Sequence, residues 1–384
     1  MKEYITVKKF GPLKDISSLE LCRFTILIGE SAIGKSTLMK LVSMLRYLYK
    51  MANIRSYLKL SKITSSPFRV RLDTLMKQSG LSSMFTAESS ILYKVEFNSG
   101  NVYEITIDNK KLGALPQIKT EDLIFSKVSF VSENRNVIPM WVEKTSNNQG
   151  ATLGYYFHET FNDFTTAAET DQIVDLNYLN LKLHVIHPKG KNVKLKIEHA
   201  EGKHLPIDLR EASSGIQTSA PLALIIKHFA NEYSFKEAFT RSVLYYLHEI
   251  DRLTKFKAVK EPSLLKKEVY VHVEEPELSL FPTAQCALID ELILTALQAK
   301  EDREINLMFA THSPYILNYL NVILHQNKDG RAYTTAENMA VYRIFDGKIQ
   351  NLLGQDNQGN AIVDTYDLTV TMNEIYQEYT SFFP

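Results

Sequence analysis

Cysteine and tryptophan are almost missing from this chain, with two of the first and one of the second in 384 residues. A disulfide framework is therefore excluded, and Cys22 and Cys286, one in a strand-like and one in a helical context, are expected to be reduced thiols. Charge of one sign is missing too: 44 Lys and Arg balance 44 Asp and Glu, so no global field draws the chain toward nucleic acid or an acidic bilayer. No apolar run approaches a bilayer span, and Met1-Lys2-Glu3-Tyr4 passes straight into a strand-like alternation, which predicts a cytoplasmic protein with no membrane partner. No heptad is sustained and no internal repeat recurs. His184, His187, His199 and His204 cluster without cysteines, and the first two fall on opposite faces of a strand, so no metal centre is expected among them.

What is present is a run, Gly29-Glu30-Ser31-Ala32-Ile33-Gly34-Lys35-Ser36-Thr37, directly behind the apolar stretch Phe24 to Ile28. It spells a strand, a phosphate-binding loop and a helix start. Glycines let successive N–H groups face a phosphate, Lys35 reaches the β and γ oxygens of a nucleoside triphosphate, and Ser36 ligates magnesium. The helix opening at Lys35 adds its positive end. ATP and Mg2+ are the expected ligands.

Around this loop the chain alternates strand and helix, an α/β pattern. Residues 4 to 28 read as strands broken at Gly11-Pro12, and Leu38, Leu41, Val42, Leu45, Leu48 and Ala52 mark one apolar face of a long helix. Lys40, Arg46, Lys50, Arg55 and Lys59 on that helix read as a solvated face. Hairpins are expected at Ile91 to Phe97 with Val102 to Ile107, and at Leu181 to Ile186 with Val193 to Ile197, the second turning at Pro188-Lys189-Gly190-Lys191. Tyr156, Phe157, Phe161 and Phe164 have helical spacing and read as packing.

Three further motifs follow in order. Ser213-Ser214-Gly215-Ile216-Gln217 precedes the apolar helix Ala220 to Phe229, a second anion-binding surface or an ordinary serine N-cap. Val269 to Val273 is fit for a buried strand and ends in Glu274-Glu275-Pro276-Glu277. Carboxylates there sit where a parallel sheet opens to its ligand, Glu274 placed to hold magnesium through water and Glu275 to take a proton from an attacking water. Ile305 to Ala310 is another buried strand, delivering His312 where it can touch a γ-phosphate or orient that water.

This succession resembles the ABC-type ATPase heads of the SMC-like and OLD-like (overcoming-lysogenization-defect) families, in motif order from residue 1 to about 350. The resemblance implies a P-loop NTPase fold with a mixed central sheet flanked by helices, an antiparallel β subdomain and helical insertions. It implies one ATPase domain over 1–384, with an embedded hairpin and helical lobe at 61–190 and an inserted helical element at 231–267. Two such heads meet head to tail, so Ser213, Ser214, Gly215 and Gln217 would serve a neighbour's ATP, in a homodimer or higher homo-oligomer. Glu274 would support magnesium, Glu275 would be the general base, His312 the switch histidine, and the Pro276 to Pro282 turn would cross the interface. Glu133 and Arg135, in an element that similar OLD-like ATPases carry, are nominated for nucleotide or magnesium contacts.

The signature has Ser214-Gly215 in place of a double glycine, and the magnesium acid is Glu274 where many ABC heads have Asp; both variants look like the OLD-like branch. SMC-type coiled coils are absent, and about seventy residues after His312 are too few for the TOPRIM nuclease domain of full OLD proteins. The short form resembles sensor or regulatory subunits of bacterial anti-phage defence systems, whose partner effector is a separate nuclease or toxin. The alternatives are a DNA- or RNA-binding ATPase that contacts the duplex near Lys40 to Lys59, and a slow ATP-locked scaffold that holds a toxin.

Overall fold

The computed structural model describes residues 1–63, 70–142, 154–189, 192–202, 205–244, 247–248, 256, 258–259, 264–325 and 336–382. In chain order the strands are β1 (Lys2–Phe10), β2 (Leu13–Leu21), β3 (Phe24–Ile28), β4 (Ser90–Glu96), β5 (Val102–Asp108), β6 (Lys111–Leu112), β7 (Ile124–Val131), β8 (Gln172–Leu176), β9 (Leu181–Ile186), β10 (Lys194–His199), β11 (Ile207–Asp208), β12 (Lys266–Glu274), β13 (Arg303–Thr311), β14 (Met339–Phe345), β15 (Lys348–Asn351), β16 (Leu353–Gln355) and β17 (Ala361–Val363). The helices are α1 (Lys35–Leu60), α2 (Leu72–Gln78), α3 (Ile138–Val142), α4 (Tyr155–Ala167), α5 (Ser214–Asn231), α6 (Phe235–Phe239), α7 (Pro282–Leu297), α8 (Pro314–His325) and α9 (Tyr366–Ser381).

The central sheet runs β15-β14-β3-β13-β12-β7, parallel from β14 to β7 with β15 antiparallel at one edge. All of β3 and the last seven residues of β12 and of β13 are buried, as β-branched and apolar runs covered on both faces should be. Their carboxyl ends lie side by side, so the loop after Ile28, Glu274 and His312 arrive at one rim. A second, antiparallel sheet β2-β1-β4-β5-β6, a third, β11-β10-β9-β8, and the two-stranded β16-β17 complete the expected mixed α/β architecture. Both expected hairpins form, β4 with β5 and β9 with β10. The strand β8 escapes the sequence reading, because Gln172 and Asp175 interrupt its apolar positions.

His184 pairs with Glu198 and His187 with Asp171, and among the described residues no group of three or more His, Cys, Asp or Glu could hold a metal ion. Cys22 and Cys286 are both free. No helix among the described residues is long and apolar enough to cross a membrane. His204, Gly190-Lys191 and much of the stretch from 245 to 263, part of the inserted helical element expected at 231–267, lie outside the described residues.

Arg46 of α1 departs from the solvated face expected for it. Arg46 is 2% exposed; its Nε donates to Glu3 Oε2 at 2.9 Å, and the guanidinium lies 4.3 Å from the Tyr270 ring centre. Tyr93 donates to the same carboxylate oxygen, and His272 Nε2 lies 3.1 Å from Arg46 Nη1 while its Nδ1 is 2.9 Å from the Ser129 carbonyl. The neutral imidazole that donates to Ser129 and accepts from Arg46 satisfies both ring nitrogens. This network ties β1 and β4 to α1 and β12.

Burial, and then the charge of Arg46, pulls the His272 pKa down to about 3. The unfolded imidazole titrates at about 6.5, so its contribution to stability is whole above that pH and is lost as pH falls toward 3. The loss is about 1.4 kcal/mol per pH unit. Between pH 6.5 and 5 the wild-type chain should therefore lose ~2 kcal/mol more than a His272→Gln variant in urea unfolding. Parallel pH dependence of the two would remove His272 from the account.

Candidate nucleotide site

The loop between β3 and α1 closes around Gly29, whose φ of +153° and tight surroundings leave no room for a side chain. A Cβ there would lie 2.6 Å from the Ile344 carbonyl oxygen. Lys35, 6% exposed, donates from Nζ to the Gly29 and Glu30 carbonyls at 2.7 Å each and stands 3.4 Å from His312 Nδ1. Burial lowers its pKa to about 8, against the raising effects of Glu275, Glu277 and Glu30. A partly desolvated ammonium held by two carbonyls beside an imidazole nitrogen is suited to an incoming anion. Glu30, Ser31, Ala32 and Ser36 are exposed on the same loop, Ile33 is half-buried, and Thr37 is buried in the first turn of α1.

Glu274 closes β12 and is 5% exposed. Burial raises its pKa; Lys40, whose Nζ is 3.6 Å from Oε1, the nearby Ser36 hydroxyl and the Glu133 backbone N–H act in the opposite direction. Ser36, Glu274 and Glu133 are thus gathered at one place, with Ser132 Oγ capping the 3-10 turn Glu133–Val137. One hydroxyl and one or two carboxylates are what magnesium uses when water and phosphate oxygens supply its remaining ligands, so the donor set fits that ion. Lys40, read from the sequence as a solvated charge, is a member of this cluster.

Glu275 takes a left-handed backbone, φ +43°, unusual for a residue with a side chain and worth ~1–3 kcal/mol of strain. Its N–H donates to the Ala310 carbonyl at 2.8 Å, and its Oε1 lies 3.6 Å from His312 Nε2. Both side chains are about one-third exposed, so solvent reaches them. Glu277, which no motif reading assigned, holds the histidine: its Oε1 accepts from the His312 N–H at 2.7 Å and from the Thr311 hydroxyl at 2.8 Å. Ser313 Oγ donates to Gln285 of α7 and accepts from the Ile316 N–H.

Arg135, nominated beside Glu133, is fully buried, and its guanidinium donates to backbone carbonyls: Nε to Thr218, Nη1 to Ser132 and Glu274, and Nη2 to Glu275. Burial lowers its pKa to about 10 although Glu277, Glu275, Glu274 and Glu133 surround it.

Ser213 is the N-cap residue of α5, and both it and Ser214 are exposed. Gln217 is turned inward, its amide donating to the Arg210 and Ala212 carbonyls at 2.7 and 2.8 Å. Gly215 is buried because the turn after Glu275 crosses it; a Cβ there would lie 2.6 Å from the Ser279 carbonyl oxygen. Among the described residues no hydrogen bond joins the Ser213 or Ser214 side chain to the phosphate loop, Glu275 or His312. The described residues therefore carry one assembled cluster and, across the turn, one exposed serine pair; Phe281, at the end of that turn, is 74% exposed. Gly215→Ala should push the turn off α5 at a cost of ~1–3 kcal/mol, read as a lowered urea midpoint; an unchanged midpoint would contradict the close approach.

No protein-family model matches the chain, and neither does any curated protein. Among solved structures it is similar to an SMC head bound to the C-winged helix domain of ScpA, at 11% identity and a TM-score of 0.41, covering 91% of this chain and 97% of that one. It is also similar to the SMC head domain from Thermotoga maritima, at 11% identity and a TM-score of 0.38 over 91% and 97% of the two chains. A third is the recombination mediator RecF with ATPrS, at 13% identity and a TM-score of 0.35 over 92% and 98%. All three are likenesses of fold and say nothing of activity.

Proposed function

We propose that the chain is an ABC-type ATPase that binds ATP with Mg2+, pairs with a second copy through the nucleotide, and hydrolyses it slowly. The observation that carries this reading is the convergence of Lys35, His312 and Glu275 within 3.4 and 3.6 Å, beside the Ser36 and Glu274 pair, at one rim of a parallel sheet. Lys35 binds the β and γ oxygens. Ser36 and Glu274 would hold magnesium, with Glu133 beside them; when bound, the ion neutralises charge that builds on the phosphate oxygens. Glu275 takes the proton of a water attacking the γ-phosphorus as the bond to the ADP oxygen breaks, and His312 orients that water or contacts the γ-phosphate. Ser213, Ser214, Gly215 and Gln217 belong to the face that serves the neighbour's nucleotide: the serines offer hydroxyls, and Gly215 and Gln217 shape the turn.

On this reading residues 1–384 form one ATPase domain, with 61–190 as an embedded lobe and 231–267 as an inserted element available to a separate effector. A sensor or regulatory role in anti-phage defence, in the cytoplasm, rests on the motif resemblance. The nucleic-acid alternative loses support from α1, since Arg46 is buried against Glu3 and Lys40 is turned to Glu274.

The test is steady-state ATP turnover beside light scattering of the chain with magnesium and a slowly hydrolysed ATP analogue. Turnover and a doubled mass are expected. A particle of constant mass under every ligand, with no phosphate released, would remove the reading.

A further inference from the structure

In a head-to-tail pair, one chain's exposed serines serve the partner's nucleotide while its Glu275 serves its own. Some element of the chain must join the two. We propose that Arg135 is a positioning residue that couples the signature turn of a chain to the general base of the same chain, so that closing one nucleotide sandwich readies the other. The inference rests on the function proposed above and adds a relay to it.

The tie is made of backbone. Arg135 Nε donates at 3.0 Å to the carbonyl of Thr218, in the second turn of α5, while Nη1 and Nη2 donate at 2.7 and 2.6 Å to the carbonyls of Glu274 and Glu275. A fourth carbonyl, that of Ser132, anchors Nη1 at 3.1 Å to the end of β7. Thr218 closes the circuit, its hydroxyl donating at 2.9 Å to the Leu278 carbonyl in the turn after the two acids. Close approach at Gly215 leaves α5 and that turn no slack.

A planar fork with donors in three fixed directions can hold three chain segments at once; an ammonium at the same place cannot. The base is the piece that needs holding. Glu275 sits at φ +43°, a conformation that persists only where its surroundings over-determine it. Its N–H is tied to Ala310 and its carbonyl to Arg135, and between those two bonds its carboxylate is set 3.6 Å from His312 Nε2. A shift of the α5 N-terminus on meeting a partner's phosphate is thereby passed to the carbonyl of Glu275. No substrate contact by Arg135 is involved.

Arg135→Lys and Thr218→Val in the full chain test the relay, with ATP affinity, nucleotide-dependent mass and turnover against ATP concentration measured for each. The wild type should show a Hill coefficient of about 1.5 or more, two being the ceiling for two sites. Arg135→Lys should keep ATP affinity within about threefold, lower kcat ~10- to 100-fold as a displaced catalytic group does, and bring the Hill coefficient to about 1. Thr218→Val, which leaves the cation in place, should move both in the same direction by less. A role in folding alone would lower affinity and kcat together and leave the Hill coefficient of the folded fraction unchanged, and that result overturns the proposal. So does wild-type cooperativity in both variants; if Arg135→Lys fails to fold, Thr218→Val alone decides. A wild type that neither pairs nor turns over ATP would instead strike at the underlying ATPase reading.

Discussion

Lys35→Ala should abolish ATP binding while leaving the fold as stable as before. The ammonium is held by two loop carbonyls, at 2.7 Å each, and by no carboxylate within ion-pairing distance among the described residues. Burial already lowers its pKa to about 8, so its charge costs the free protein something to keep. Removing it takes away two hydrogen bonds and a desolvation penalty together, effects that offset. In its proposed role the same group meets the β and γ oxygens of a triphosphate, and truncating one side of such a pair costs ~2–5 kcal/mol, on the order of 30- to 1000-fold or more in affinity. Calorimetric titration with ATP and magnesium, beside thermal melts of both proteins, separates the two effects. Affinity within threefold of wild type would mean that the loop is a turn and not a phosphate cradle.

The parts of the molecule that were legible in the sequence share a cause. Strands β3, β12 and β13 are buried on both faces, so they read as continuous apolar runs, and the polar residue that ends each run stands out. Glu274, Glu275 and His312 were found that way. Residues whose importance lies in what they do for the backbone left no such mark. Arg135 joins four carbonyls from three separate stretches, and carbonyls have no identity in a sequence. Arg46 looks like any solvated helical charge until Glu3, more than forty positions earlier, is placed against it by the pairing of β1 with β4. The Gln217 amide nitrogen donates within its own loop, a short-range bond that the spacing Arg210, Ala212, Gln217 does not announce. Glu277 alone carried a usable signal: a third acid behind Pro276, with a Thr-His pair that needed a common acceptor.

Glu275→Gln should produce the largest change in turnover with the least change in anything else. The amide keeps the length and shape of the carboxylate and leaves untouched the bonds from its N–H to Ala310 and from Arg135 to its carbonyl. What it loses is the capacity to accept a proton, which is worth ~10²- to 10⁴-fold in rate. Affinity for ATP depends on Lys35, Ser36 and Glu274 and should stay within a few-fold of wild type. Pairing should therefore form and fail to dissolve, so light scattering with ATP alone should show the doubled mass that the wild type shows only with a slowly hydrolysed analogue. Glu275→Gly provides the complementary result. Glycine adopts φ +43° without strain, so that variant should lose turnover equally while gaining about 1 kcal/mol of stability, because the left-handed conformation is what the side chain costs the fold. Activity lost with stability gained at one position is the mark of a residue held in place for chemistry. Turnover unchanged in Glu275→Gln would move the base elsewhere, and stability lowered in Glu275→Gly would show that the carboxylate supports the structure instead of being supported by it.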